Sequence, residues 1–113
     1  MTAITDEFMR QKLSGTRNFT IVVLKKGQYY NHPDAKGIIW EHGRRNFSLR
    51  EEGLLAIVCP VNDGSELVGI GIFNADVEKT KQIMDGDPGV KEGIFEYEIH
   101  PTRSFPGDGL PEL

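Results

Sequence analysis

"LLAIVCPVNDGSELVGIGIFNA", Leu54 to Ala75, is the stretch whose reading decides the fold. Two apolar runs rich in β-branched residues flank Asn62-Asp63-Gly64-Ser65, and Asn, Asp and Gly tolerate the positive φ that a hairpin turn needs. Two strands paired antiparallel are therefore predicted. In the second, Gly69 and Gly71 share a face, which loses packing but leaves room for a close backbone or a ligand. In the first, Cys59 has the setting of a small buried hydrophobe, and as the only cysteine it can form no intrachain disulfide.

Upstream, "FTIVVLKK" from Phe19 has the composition and length of a buried strand and ends at Gly27. A loop, "YYNHPDAKG", follows, since Pro33 biases His32 away from helical backbone. From Asp34 to Gly53 the spacing predicts a helix with Ile39, Gly43 and Phe47 on one face and Trp40 beside them. Gly37 and Gly43 weaken it by about 1 kcal/mol each, and Gly53 is a good stop. Downstream, Asp76 can cap a helix that repeats Val77, Thr80 and Met84, with Ile83 adjoining, and Asp85 to Gly89 ends it. "GIFEYEIHP" then alternates, with Phe95, Tyr97 and Ile99 on one face and Glu96, Glu98 and His100 on the other. His100-Pro101 closes this strand.

The order strand, helix, strand, strand, helix, strand is the ferredoxin-like βαββαβ pattern of an α+β protein: a four-stranded antiparallel sheet with both helices on one face. The other face is left bare. Its simplest cover is the same face of a second copy, a homodimer through the sheet. Residues 1–18 are expected to form an arm with a short helix at "DEFMRQKL", residues 19–101 the single domain, and residues 102–113 an irregular Pro/Gly-rich tail on the domain or its partner.

At 113 residues and 12.7 kDa one core is the default, and 38% apolar with 27% charged residues suits a globular chain. The longest apolar run is about seven residues against about 20 needed to cross a bilayer, and no signal peptide opens the chain, so no membrane and a cytoplasmic setting are expected. The net charge is −4, and the basic clusters are the pairs Lys25-Lys26 and Arg44-Arg45, so the stripe that nucleic-acid backbones require is missing. His32, Asp34 and His42 match no metal-ligand spacing, and Gly69-Ile70-Gly71 lies inside a strand without the third glycine of a dinucleotide fingerprint. No metal and no cofactor are expected.

The chain resembles the YCII-related (YciI-like) proteins of the dimeric α+β barrel group. The resemblance rests on His42 followed by Gly53, on "CPVNDG", on "LVGIGIFNAD" and on "DPGVKEGIFEYEIHP", and covers about residues 19 to 101. One departure is Cys59 where the family usually has Gly before the Pro; another is the polar "GRRNFSLREEG" helix. The resemblance implies a ferredoxin-like protomer, a dimer with pockets near the subunit contact, and a His-Asp pair, here His42 and Asp87. An imidazole takes a proton near neutral pH, and a neighbouring carboxylate fixes its tautomer. On the residues alone, the simpler reading makes His42 an ordinary helix-surface residue and Asp87 a turn residue before Pro88.

The expected function is a cofactor-independent lyase or isomerase acting through His42 and Asp87 on a small cyclic or aromatic metabolite. The alternative is a small-molecule binding or sensing dimer without turnover. Trp40, Arg45, Tyr97 and His100 are the candidates for substrate binding, although His100 is more simply a strand-end residue. Tyr29, Tyr30 and His32 are candidates for a pocket lip, against plain loop packing.

Overall fold

A computed structural model of the chain describes residues 1–112; Leu113, the last residue of the expected tail, lies outside the described residues. Eight elements follow in order: α1 (Asp6–Ser14), β1 (Arg17–Lys26), α2 (Ala35–Glu51), β2 (Leu55–Pro60), β3 (Leu67–Phe73), α3 (Val77–Asp85), α4 (Pro88–Lys91) and β4 (Phe95–Ser104). The strands form one antiparallel sheet in the order β2-β3-β1-β4. This is the expected α+β, βαββαβ arrangement, with α1 and α4 added.

Strand alternation sorts the sheet into two faces. Thr20, Val22 and Leu24 of β1, Phe73 of β3, Leu55 of β2 and Phe95 of β4 are buried beneath the helices. They pack with Leu49 of α2 and with Ile83 and Met84 of α3 into one core. The opposite face carries Ile21 paired with Ile72, Val23 paired with Ile70, and Ile57 and Cys59 across from Ile72 and Ile70. On it Ile21, Val23, Ile57 and Ile72 are half-buried, and Ile70 and Cys59 are exposed. Cys59 is thus not the buried hydrophobe expected: its register turns it outward on an edge strand.

The turns follow local chemistry. At the β2–β3 hairpin Gly64 takes φ +80°, and the Asp63 carboxylate accepts from the Ser65 backbone N–H at 3.0 Å. Asp76 caps α3 by accepting from the Lys79 N–H at 2.7 Å. Gly53, at φ +76°, ends α2 with the N–H groups of Leu54 and Gly53 returning to the carbonyls of Leu49 and Arg50, the paired bonds of a Schellman stop.

Three boundaries and one helix face differ from expectation. The arm carries the expected short helix, α1, capped by the Thr5 side chain that accepts from the Phe8 N–H, but β1 already begins at Arg17. The Asp85–Gly89 turn continues into α4, because Pro88 is preorganised for a first helical position behind an Asp cap. β4 does not close at His100-Pro101; it runs to Ser104, pairing Thr102 with Phe19 and Ser104 with Arg17. Pro101 is tolerated because β4 is an edge strand, whose outer side needs no ladder N–H. The remaining difference is the face of α2: Ala35 and Leu49 are its buried residues, Ile38 and Ile39 are half-buried, and Phe47 and Trp40 are 64% and 71% exposed. The helix is rotated from its apolar reading, so its inner stripe passes through polar residues. Beyond Ser104 the tail is irregular and exposed, as expected. Among the described residues no helix is long and apolar enough to cross a membrane.

A Cβ added at Gly37 in the first turns of α2 meets nothing within 4 Å. Gly37→Ala is expected to raise stability by up to about 1 kcal/mol in urea unfolding, through helix propensity alone.

Candidate active site

The inner stripe of α2 runs from Ala35 through Ile38 and Ile39 to Leu49, and the positions between, His42, Arg45 and Asn46, carry side chains that must find partners. His42 finds Asp87. Their separation in sequence is 45 residues, and in space Nδ1 lies 2.7 Å from Oδ1. The Asp87 side chain is 1% exposed and that of His42 13%.

Asp87 is held from its own side by the start of α4. Its Oδ2 accepts from the Gly89 N–H at 2.9 Å and the Val90 N–H at 3.2 Å. Oδ1 then accepts from the imidazole, so Nδ1 carries the ring proton and Nε2 presents its lone pair. The ring is fixed further by Phe95, whose centroid lies 4.7 Å away at a 59° tilt. Gly89 makes this corner possible: a Cβ there would stand 2.4 Å from the Phe95 ring and 3.0 Å from Asp87 Oδ2.

On its far side His42 opens into a cleft of about 710 Å³ between α2 and the helix-facing side of the sheet. That volume lies in the range that accepts small organic ligands. Val22, Leu24, Val58, Gly69 and Gly71 contribute to the floor, and His42, Gly43, Asn46, Phe47 and Arg50 form the α2 wall. Gly69 and Gly71 therefore sit where the sequence suggested room for a ligand, and a Cβ on Gly71 would come within 3.2 Å of Leu55 and 3.4 Å of Phe73. Asp108, Gly109 and Leu110 of the tail border the same cleft.

Asn46 is the residue that sequence reasoning missed. Its Nδ2 lies 3.2 Å from His42 Nε2 and it lines the cleft, so its amide N–H can donate to the nitrogen lone pair. The signal was present: Asn46 follows His42 by four residues, which puts the two on adjacent turns of one helix face.

The other sequence candidates go elsewhere. Arg45 does not line the cleft; its Nη1 lies 3.9 Å from Asp87 Oδ1, beyond hydrogen-bond reach, and is buried without a partner. It stands behind the pair. Trp40 points away from the cleft into solvent. Tyr97 lies on the helix-facing side but outside the cleft, donating its phenol O–H to Asp85 Oδ1 and so tying β4 to the end of α3 two residues before Asp87. His100 is across the sheet, 59% exposed beside Glu98, because strand alternation turns it opposite to Phe95. Tyr29 and His32 border a separate recess of about 250 Å³ with Asp34, Ile38 and Glu92, and Tyr30 packs on Phe95 at 6.2 Å. Among the described residues, no group of three His, Cys, Asp or Glu side chains is placed to hold a metal ion.

No protein-family model matches this chain. No curated protein matches it either. Among solved structures the chain is similar to the 5-chloro-2-hydroxyhydroquinone dehydrochlorinase of Burkholderia phenoliruptrix AC1100 in complex with 2,5-dihydroxybenzoquinone, at 14% identity and a TM-score of 0.48. The likeness covers 72% of this chain and 90% of the other.

Burial, and then the hydrogen bond to Asp85, push the Tyr97 phenol up to about 12 from an ordinary 10.0. The folded state thus keeps a proton that the unfolded chain gives up first, and this contribution is complete below pH 10 and lost as pH rises towards about 12. Tyr97→Phe should cost about 1 kcal/mol at neutral pH and flatten the alkaline loss of stability, measured by urea unfolding at a series of pH values.

Proposed function

We propose that the chain is an acid–base enzyme of the lyase or isomerase type, acting without a cofactor on a small cyclic or aromatic metabolite. The observation that carries this reading is the bridging position of His42, with one ring nitrogen on the buried Asp87 and the other turned to an apolar cleft. A carboxylate on Nδ1 holds the tautomer in which Nε2 is the base, the part that an orienting group plays in acid–base sites. The resemblance to YCII-related proteins accords with it.

In the proposed reaction Nε2 takes a proton from a carbon next to a carbonyl, and the electron pair moves into an enolate. Imidazolium then returns the proton, to a leaving group for elimination or to another carbon for isomerisation. Asn46 works on both sides of the step. Its amide N–H donates to the Nε2 lone pair before transfer; once Nε2 is protonated, a turned amide offers its oxygen, and the N–H is free for the enolate oxygen. Ile39 and the apolar residues of the floor lower the polarity around that charge.

A second reading is a binding or sensing protein without turnover. The contact that favours it is the Asn46 amide at 3.2 Å, which already satisfies Nε2 in the free chain.

Asp87→Asn separates the two. The amide oxygen can still cap α4, but an amide N–H now faces Nδ1, so the ring proton moves to Nε2 and the base is lost. Proton exchange into a panel of cyclic ketones and hydroxyquinones in deuterated water should fall about 10²–10⁴-fold, with stability within about 1 kcal/mol. Equal exchange by the variant sinks the catalytic reading, and retained ligand binding with no exchange in either protein supports the second.

We also propose a homodimer through the sheet face that carries Ile21, Val23, Ile57, Ile70 and Ile72, since an apolar face of this kind is costly in water. Sedimentation at micromolar concentration should give twice the 12.7 kDa chain mass, and Ile72→Lys should yield a monomer. A wild-type monomer refutes the dimer.

A further inference from the structure

The cleft wall has an ordered polar line. His42, Asn46 and Arg50 follow one another at intervals of four along α2, and all three line the cleft. At a rise of about 1.5 Å per residue, the backbone positions of His42 and Arg50 stand about 12 Å apart. Long side chains on a helix lean towards its N-terminus, and the exposed Arg50 carries its guanidinium back to Phe47. Its central carbon lies 5.5 Å from the Phe47 ring centroid, a cation–π contact with another wall residue.

Arg50 also differs from its neighbours on the helix. Arg44 is paired with Glu41 at 2.9 Å, and Arg45 stands at 3.9 Å from Asp87. Arg50 has no ion-pair partner among the described residues, and it is the one cationic side chain lining the cleft among them. The acidic residue lining the cleft, Asp108, belongs to the exposed tail. An unpaired guanidinium at one end of an apolar cleft, with a base at the other, recognises a particular shape of ligand.

We infer that the cleft takes a ring-sized organic anion, with its carboxylate or an equivalent planar anionic group on Arg50 and the reacting part of the ring at His42. This rests on the cleft being the ligand site of the proposed function. The fork of the guanidinium suits a planar two-oxygen anion better than a point charge does. Arg50 is then a specificity residue that acts on affinity, because its contact with the anion is the same before and after proton transfer.

Benzoate and its uncharged isostere benzamide, titrated into the protein and followed by backbone amide shifts of α2 and β3, test the inference. The wild type should bind benzoate about tenfold or more tightly over benzamide at low salt, and the preference should shrink as salt is added. R50Q should bring the two probes to within about twofold while keeping benzamide affinity, and R50K should keep part of the preference. His42→Ala should leave the preference intact, so loss of proton transfer and loss of anion recognition are separate results. Equal affinities in the wild type, a preference that survives R50Q, or no cleft response to either probe at millimolar concentration overturns the inference.

Discussion

A carboxylate almost wholly withdrawn from water, Asp87, is the constraint on which the arrangement depends. A buried ionisable group must be given hydrogen-bond donors or the fold is heavily penalised. Asp87 receives three, from the backbone of Gly89, the backbone of Val90 and the ring of His42. Two come from the first turn of α4 and one from α2, so satisfying this single side chain docks α2 against the corner after α3. The same corner needs glycine at position 89, because Phe95 packs against it from β4. Helix, turn and strand are fixed together.

This has a direct effect on the cleft. Since α2 is turned to deliver His42 and Asn46 inward, its large apolar residues are displaced: Phe47 reaches the cleft wall and Trp40 the solvent. The helix is held less by apolar burial than is usual for a helix on a sheet, and more by one hydrogen-bonded network that is fully met only when every member is present. Beneath it, Gly69 and Gly71 withhold side chains from the floor. The cavity therefore arises from two omissions, side chains turned outward on α2 and absent on β3.

What was legible in the sequence follows from the range of the forces involved. Asn62 to Ser65, Gly53 and Asp76 specify their turns and caps within four residues, and the fold class follows from the order they impose. The rotation of α2 was hidden because Ile39, Gly43 and Phe47 form a credible apolar line, whereas the true inner stripe contains His42, Arg45 and Asn46, whose burial makes sense only once Asp87 is opposite. The pairing of His42 with Asp87 came from a family resemblance, since a gap of 45 residues carries no local signal. Pro101 misled at the end of β4, because proline stops a central strand but not the outer side of an edge strand. Cys59 misled for a related reason: the composition of β2 shows its apolar character but not which alternate residues face out.

Pro101 has a wider meaning for the edges of the sheet. Both margins of the sheet carry a proline, Pro101 in β4 and Pro60 at the end of β2, and β2 also breaks register near its start. A strand from another molecule seeking to extend the ladder meets a proline at either edge, and a kink as well at the β2 edge. Lateral growth into a continuous sheet is thereby discouraged, while the flat apolar surface of Ile21, Ile70 and Ile72 stays open to contact. Whatever this chain meets is thus kept off the margins of its sheet, where backbone pairing would otherwise propagate without a natural end.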